Sequence, residues 1–569
     1  MTENISNPPH KWPIIWAALL AIFVLLQSAV MATNIRLGTP PDEFAHISYV
    51  TDAIGHEYFI PDYQNGIIVN SGELNYMGHP PLYYASLAAF SRALGLEPVQ
   101  DFPYLRVLSA TFVAFGFILW LATARNLGLG LFHAVALTVA SCAVPMFSYL
   151  AGSINNDTLA YFGVALFFAG FSRSRMEPGR IDFTSAFGLT AGIIVTLLSK
   201  ANASLFLLLF VAIFAAIRFR LIPSVVRDRV FIVSAATVIV VCGAYYGYTW
   251  MAFDTPLPKP RSLYSHAPPA DPLVLIEYTW KYVGSMWERL PVIVSHASIS
   301  PFSSAGRYFF YTMIAAPVVG WLLARPRAST RQADRFIVAA TDAFMAALLM
   351  TVIAHVYYVY NSYLGNSQFA GWQPRYYFFA LPLIWVPFFA IRPSLGLNAV
   401  VSAVFIVSAF VAFWSSVPFT IAEHRKDLAS TAAAPVRASG ATVALTQNVT
   451  GNIISVNYPA GARIRGHVDQ LDISGGVLLV RGWIFGDGAS KSAVRVLIFA
   501  EDRYLGAAAP GLERPDVEKA LSDPRARYSG FKVSITGFPE ELHECDVQVA
   551  AEVSDGSLAL ISTREHCER

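Results

Sequence analysis

Residues 12–46 read WPIIWAALLAIFVLLQSAVMATNIRLGTPPDEFAH. From Trp12 to Ile35 no residue is charged, and a run of roughly 20 apolar residues is long enough to cross a hydrocarbon core. It is followed closely by Pro40-Pro41-Asp42-Glu43-Phe44-Ala45-His46. The two prolines disfavour a continuing helix and set an extended start to a new element. The stretch therefore predicts a membrane helix that ends at a bilayer surface and presents there an acid pair with an imidazole close behind it.

The same apolar character continues for most of the chain. Its 569 residues are 55% hydrophobic and only 14% charged, with mean hydropathy +0.48, well outside the composition of soluble domains. The fold class expected is a polytopic α-helical membrane protein. About eleven segments are long and apolar enough to span: 12–32, 103–124, 131–151, 155–172, 183–200, 203–219, 230–251, 308–325, 336–358, 374–391 and 395–416. Arginines fix the orientation, because short loops rich in Lys and Arg stay cytoplasmic. Arg125, then Arg173, Arg175 and Arg180, then Arg218, Arg220, Arg227 and Arg229, then Arg325, Arg327, Arg331 and Arg335, and finally Arg392 all fall on one side if the N-terminus with Lys11 is cytoplasmic. Pro81 to Leu96 is then an interfacial or re-entrant helix, since counting it as a crossing would put the arginine loops outside. Residues 33–102 and 252–305 become outer loops of a transmembrane domain spanning 1–417. The first segment lacks a cleavage site and is expected to remain as an anchor. The net charge of +2 is accounted for by this topology, so the basic residues imply membrane lipids and no nucleic-acid partner.

Near residue 418 the composition changes. Residues 418–460 are rich in Ala, Ser and Thr and read as a linker. From 461 to 569, runs such as Val477 to Phe485, Val494 to Phe499, Phe531 to Ile535 and Val547 to Val553 are separated by Gly, Pro, Asp and Ser, the pattern of an all-β sandwich. Trp483, in a predicted strand, is expected in the core, with stacking on a glycan as the other reading. Cys142 and Cys242 fall in spans and read as buried apolar residues. Cys545 and Cys567 lie in the outer β domain, where a disulfide would persist if their sulfurs approach.

Several residues carry chemistry. Asp42 and Glu43 either complement the positive end of a helix or serve as a general base, a role that needs a carboxylate in a partly dry site. His46 shares their helix face. Asn155, Asn156 and Asp157 open a span and suit a helix cap; Asp157 with Asp42 and Glu43 is also the set from which a divalent metal would draw oxygen ligands. Lys200, followed by Asn202, is a cation on the outer side, against the positive-inside trend. Arg375 offers phosphate a fixed fork of donors, or snorkels to headgroups. Within the spans, Asp342 and His355 must face protein or water.

The order of a first membrane helix, PPDEFAH, and HPPLYY at His79 to Tyr84 resembles the GT-C superfamily of membrane glycosyltransferases. SINND at Ser153 to Asp157 and GWQPRYY at Gly371 to Tyr377 sharpen the likeness to a bacterial family of uncharacterised GT-C-like membrane proteins. The resemblance implies an inverting transfer of a sugar from a polyprenyl-phosphate carrier to a glycan or lipid-linked acceptor, at the outer face of the bacterial cytoplasmic membrane. It implies Asp42 or Glu43 as base; the residues read as binding substrate are His46, His79, Asn156, Asp157, Lys200, Gln373, Arg375 and Tyr376. Metal-dependent oligosaccharyltransferases of the wider superfamily add a divalent ion. The chain carries no Walker A loop and no dinucleotide glycine fingerprint, consistent with a membrane-borne donor. In the C-terminal region, Arg481-Gly482-Trp483, Arg514-Pro515-Asp516-Val517 and Gly530-Phe531 are similar to a β-sandwich module attached to bacterial glycosyltransferases. A lipid-linked-sugar flippase and a non-catalytic envelope assembly protein are the two other readings.

Overall fold

The computed structural model describes residues 12–35, 40–60, 78–98, 101–175, 181–258, 272–289, 332–366 and 373–390 of the helical region. In the C-terminal region it describes 464–474, 477–486, 493–500, 503–508, 514–522, 529–536, 546–553 and 558–561, and isolated positions at 269, 311, 406, 526 and 543 complete the set. The segments expected at 308–325 and 395–416 (apart from Tyr311 and Ile406), the linker 418–460, and Cys545 and Cys567 lie outside the described residues.

The helices up to residue 253 are α1 (Trp12–Asn34), α2 (Glu43–Gly55), α3 (Leu82–Leu94), α4 (Phe102–Asn126), α5 (Leu131–Val139), α6 (Pro145–Ala151), α7 (Asp157–Ser174), α8 (Phe183–Leu197), α9 (Ala201–Ile217), α10 (Ile222–Val225) and α11 (Arg229–Phe253). After them come α12 (Leu275–Arg289), α13 (Gln332–Asn366) and α14 (Leu381–Ala390). Among the described residues three helices are long and apolar enough to cross a membrane: α4, α11 and Arg335–Gly365 within α13. A fourth crossing results if α9 and the helical pair after it, bent by 83°, count as one. Helix α4 packs against α1 and α7, and Phe117 and Trp120 of α4, Phe147 of α6 and Tyr161 and Phe168 of α7 form a buried aromatic cluster.

Three expected spans differ in detail. The segment 131–151 is two short helices joined by a 3-10 turn at Ala140–Ala143. Pro145 has no N–H and forces the residue before it out of helical geometry, and Val144 accordingly sits at φ −95°, ψ 109°. The segment 374–391 opens with a 3-10 turn, Pro374–Ala380. Helix α8 stops at Leu197, leaving Lys200 extended at φ −153°, ψ 123°. Residues 81–96 form a short helix as expected: Tyr83, Tyr84, Leu87 and Ala88 are buried against α2 and α4, and Gly95 ends it in the left-handed region at φ 65°. Within residues 252–305, expected as an outer loop, the chain forms α12, which hydropathy does not single out. Tyr278 and Tyr282 bury one face of it against Val356, Val359 and Tyr363 of α13.

The C-terminal region forms two antiparallel sheets, β1-β2-β5 and β4-β3-β6-β7, from strands Ile464–Ser474, Val477–Gly486, Ala493–Ala500, Arg503–Ala508, Gly530–Thr536, Val547–Val553 and Leu558–Ile561. Alternate residues face a shared core: Leu478, Val480 and Ile484 from β2, Val496 and Ile498 from β3, Phe531 and Val533 from β5, Val547 and Val549 from β6, the period of a strand. Trp483 points the other way. It is half-buried beside Phe485, Val517 and Leu521, under the short helix Pro515–Leu521. The glycine before it is required by close approach, because a Cβ at Gly482 would lie 2.2 Å from the His467 carbonyl oxygen.

Helices α7 and α8 form an antiparallel pair whose backbones nearly touch. A Cβ on Gly188 would come within 2.9 Å of the Gly170 Cα, and one on Gly192 within 2.4 Å of the Phe167 nitrogen. Gly188 and Gly192 make the small-x-x-x-small spacing that lets apolar helices approach closely. Gly188→Leu and Gly192→Leu are expected to abolish recovery of monodisperse protein by size exclusion. Gly243→Ala, at a position in α11 with nothing within 4 Å, is expected to leave the melting temperature unchanged.

Candidate active site

Asp42 occupies the N-cap position of α2 in the left-handed region, φ 63° and ψ 8°, and its side chain makes no cap hydrogen bond. Such a conformation is uncommon for a residue with a Cβ, and it turns the carboxylate away from its own helix. Oδ2 accepts from Nη2 of Arg375, and Nη1 of the same guanidinium donates to the Pro41 carbonyl at 3.3 Å. Arg375 is buried, held on the 3-10 turn that Pro374 starts. Gln373 sits half-buried in extended geometry just before that turn, its carbonyl accepting from the Tyr376 amide at 3.3 Å.

A second ion pair lies across the Tyr376 ring. Lys200 Nζ donates to Asp157 Oδ1 and to Asn156 Oδ1 at 3.3 Å, while Asn156 Nδ2 donates to the Ser199 carbonyl at 3.1 Å. Asn155 plays the local turn role, accepting from the Asp157 amide at 2.9 Å. Lys200 Nζ is 5.4 Å and Arg375 Cζ 5.5 Å from the Tyr376 ring centroid, so one aromatic face system contacts both cations. Asn202 Nδ2 donates to the Tyr376 carbonyl and anchors the turn on α9.

His46 and His79 complete the cluster. His46 Nδ1 lies 2.9 Å from Tyr84 Oη, Tyr84 stacks on Tyr49 at 3.7 Å, and Tyr49 Oη donates to the His79 carbonyl at 3.2 Å. Burial, chiefly, pushes His46 well below the ordinary imidazole value; Asp42 opposes the shift, and His79, Lys200 and Arg375 add to it. Burial also takes His79 down to about 3, helped by Lys200 and Arg375 and opposed by Asp42. Both imidazoles are therefore neutral at pH 7, in the field of the same three charged groups.

Glu43, one residue from Asp42, faces elsewhere. Arg106 Nε donates to its Oε1 at 2.8 Å and Nη2 to its Oε2 at 2.6 Å. The Ile154 amide donates to Oε1 at 3.0 Å. Arg106 Nη1 reaches the Ile35 carbonyl at 2.6 Å, and both charged side chains are 0% exposed. Expected as the base in alternative to Asp42, Glu43 lies in a buried pair whose donors reach both of its oxygens. The supposed metal donors do not converge either: Asp42, Glu43 and Asp157 each meet a different cation. Among the described residues no group of three or more His, Cys, Asp or Glu is placed to hold a metal.

Sequence reasoning brought Asp42, His46, His79, Asn156, Asp157, Lys200, Arg375 and Tyr376 to one place and missed Arg106. Its signal was present, since an arginine one turn inside an apolar helix needs a buried partner. It also missed the cluster around His355, whose Nδ1 is 2.8 Å from Tyr377 Oη, with Tyr282 Oη 3.2 Å from that hydroxyl. Those contacts depend on α12, which carried no apolar signal.

Breaking a buried pair by removing one partner costs about 3–5 kcal/mol. Glu43→Gln and Arg106→Met are each expected to lower thermal stability by that order, and the double variant by less than their sum, read from melting curves. A histidine with a depressed folded-state value favours the folded state above its unfolded value of about 6.5, and that stability is lost as pH falls toward the folded value. The melting temperature is expected to drop between pH 7 and pH 4, and His79→Gln to flatten that slope.

No family model matches the chain, and no curated protein sequence does. Among solved structures it is similar to ArnT from Cupriavidus metallidurans in the apo state, with 13% identity over 74% of this chain and 79% of that one and a TM-score of 0.44. ArnT bound to undecaprenyl phosphate gives 13% identity over 73% and 79%, with a TM-score of 0.34. Arabinosyltransferase EmbB from Mycobacterium smegmatis gives 11% identity over 98% of this chain and 65% of that one, with a TM-score of 0.31. At these scores the likeness transfers neither residue roles nor substrates.

Proposed function

We propose that this protein is a GT-C-type glycosyltransferase of the bacterial cytoplasmic membrane, with its N-terminus cytoplasmic and its β domain outside. It moves a sugar from a polyprenyl-phosphate carrier to a glycan or lipid-linked acceptor at the outer face. The support is one observation: four motifs scattered from residue 40 to residue 377, together with Lys200, supply a single buried cluster, in which two cations flank Tyr376 and one of them holds Asp42.

Arg375 and Lys200 are suited to the donor phosphate, the guanidinium by its paired donors and the ammonium as a point charge. In a nearly dry site such groups stabilise charge that develops on a leaving phosphate far more than they would in water. Asp42 is the base. The acceptor hydroxyl oxygen forms a bond to the anomeric carbon as that carbon's bond to the phosphate oxygen breaks. The bonding pair leaves with the polyprenyl monophosphate, and the hydroxyl proton passes to the Asp42 carboxylate. A single displacement of this kind inverts the anomeric centre. It needs one proton acceptor and no covalent nucleophile, which suits a site whose other nearby carboxylates are already taken by Arg106 and Lys200.

Purified protein in lipid, offered a panel of polyprenyl-phosphate sugars, is expected to release polyprenyl monophosphate and glycosylate an acceptor. Asp42→Asn should lower kcat about a hundred- to ten-thousand-fold, and Arg375→Lys should raise KM roughly tenfold through loss of the fork. Folded protein inert toward every donor would exclude the reading.

A further inference from the structure

The two ion pairs of the site differ from the one below it. Glu43 receives three donors over its two oxygens, so nothing arriving from outside can compete for Arg106. Asp157 is half-satisfied: Oδ1 meets Lys200, but Oδ2 is buried with no hydrogen-bond partner. Lys200 donates to two oxygens, and an ammonium has three protons. Arg375, by contrast, has both terminal nitrogens engaged, one on Asp42 and one on the Pro41 carbonyl. A phosphate can be added at Lys200, and one that takes the terminal edge of the Arg375 guanidinium, where both nitrogens are engaged, displaces Asp42.

Resting on the glycosyltransferase reading, we propose that the donor phosphate enters by ion exchange: it displaces Asp42 from Arg375, and only this displacement makes Asp42 a base. Arg375, Lys200, Asp42 and Asp157 are charge-balanced and at most 10% exposed, and the neighbouring histidines are neutral through burial. A carboxylate paired with a guanidinium is a weak base. Seating an anionic donor leaves the four-group cluster one negative charge in excess, in surroundings that penalise uncompensated charge. The displaced carboxylate, no longer held by the guanidinium, accepts the acceptor's proton, while the departing phosphate takes the bonding pair and becomes a dianion. The cluster's net charge is unchanged, and the negative charge moves from Asp42 to the phosphate beside the two cations. The neutral acid then has no claim on Arg375, which with Lys200 holds the dianionic polyprenyl monophosphate. Release of that product and of the proton restores the Asp42–Arg375 pair. Without a donor the base stays covered.

The exchange is measurable without turnover, from equilibrium binding of polyprenyl monophosphate to protein in nanodiscs, with inorganic phosphate as a second probe. Asp42→Asn, which removes the internal competitor, is expected to bind the lipid phosphate about tenfold more tightly than wild type. That gain should vanish in an Arg375→Gln background, because it acts through the guanidinium; a through-space charge effect would persist there and would overturn the exchange. Equal or weaker binding by a folded Asp42→Asn variant also overturns it. If that variant does not fold, wild-type protein with polyprenyl monophosphate bound is imaged directly, and an intact Asp42–Arg375 pair sinks the proposal. Binding of inorganic phosphate alone, or of neither probe by any variant, overturns the lipid-phosphate donor and the exchange together. Exchange without sugar transfer from any donor would instead leave the binding step standing and remove the glycosyltransferase reading.

Discussion

The pair between Glu43 and Arg106 governs the rest of the helical region. Arg106 places a permanent charge inside the apolar helix α4, where the Phe102 ring offers a cation–π contact but no hydrogen-bond acceptor, and its donors can be satisfied only by bringing other chain segments to it. They reach Ala32 and Ile35 at the end of α1 and Glu43 at the start of α2, and Glu43 in turn accepts from Ile154 ahead of α7. A charge that must be solvated thus ties three separate segments to one point. Saturated hydrogen bonding makes this tolerable, because a buried pair is stable only when the remaining polar atoms are also served.

That anchoring has a consequence one residue away. With Glu43 fixed inward and the prolines fixing the approach, Asp42 is left in the left-handed region with its carboxylate turned toward Arg375. The acid pair therefore divides its labour: one carboxylate holds the architecture together and its neighbour faces the site. The sequence presents them as equivalent, and only their surroundings distinguish them.

Packing brings the second half of the site into position. Helix α7 begins at Asp157, and α8 ends shortly before Lys200, so the antiparallel glycine contact between them sets these two residues side by side. The close approach leaves no room for register error, since each facing glycine lies within van der Waals reach of the partner backbone. Charge balance then completes the cluster. Three carboxylates meet three cations, and the histidines remain uncharged in the same low-dielectric space.

Local physics made much of this legible in the chain. Hydropathy located the long apolar helices, and alternation located β2, β3, β5 and β6, four of the strands whose inward residues form the β core. Proline and glycine marked the breaks, and unusual polar residues at the ends of apolar segments marked the buried charge cluster, as Asp42, Asp157, Lys200 and Arg375 did. Partner choice lay beyond it. The sequence could not separate Glu43 from Asp42, send Trp483 to the outer side of its sheet, or foresee that a Tyr-bearing helix at 275–289 would reach His355. Each of those outcomes depends on which distant segment supplies the compensating charge, hydrogen bond or apolar surface. Chain composition determines that a buried charge must find a partner, and the tertiary structure alone decides which partner it finds.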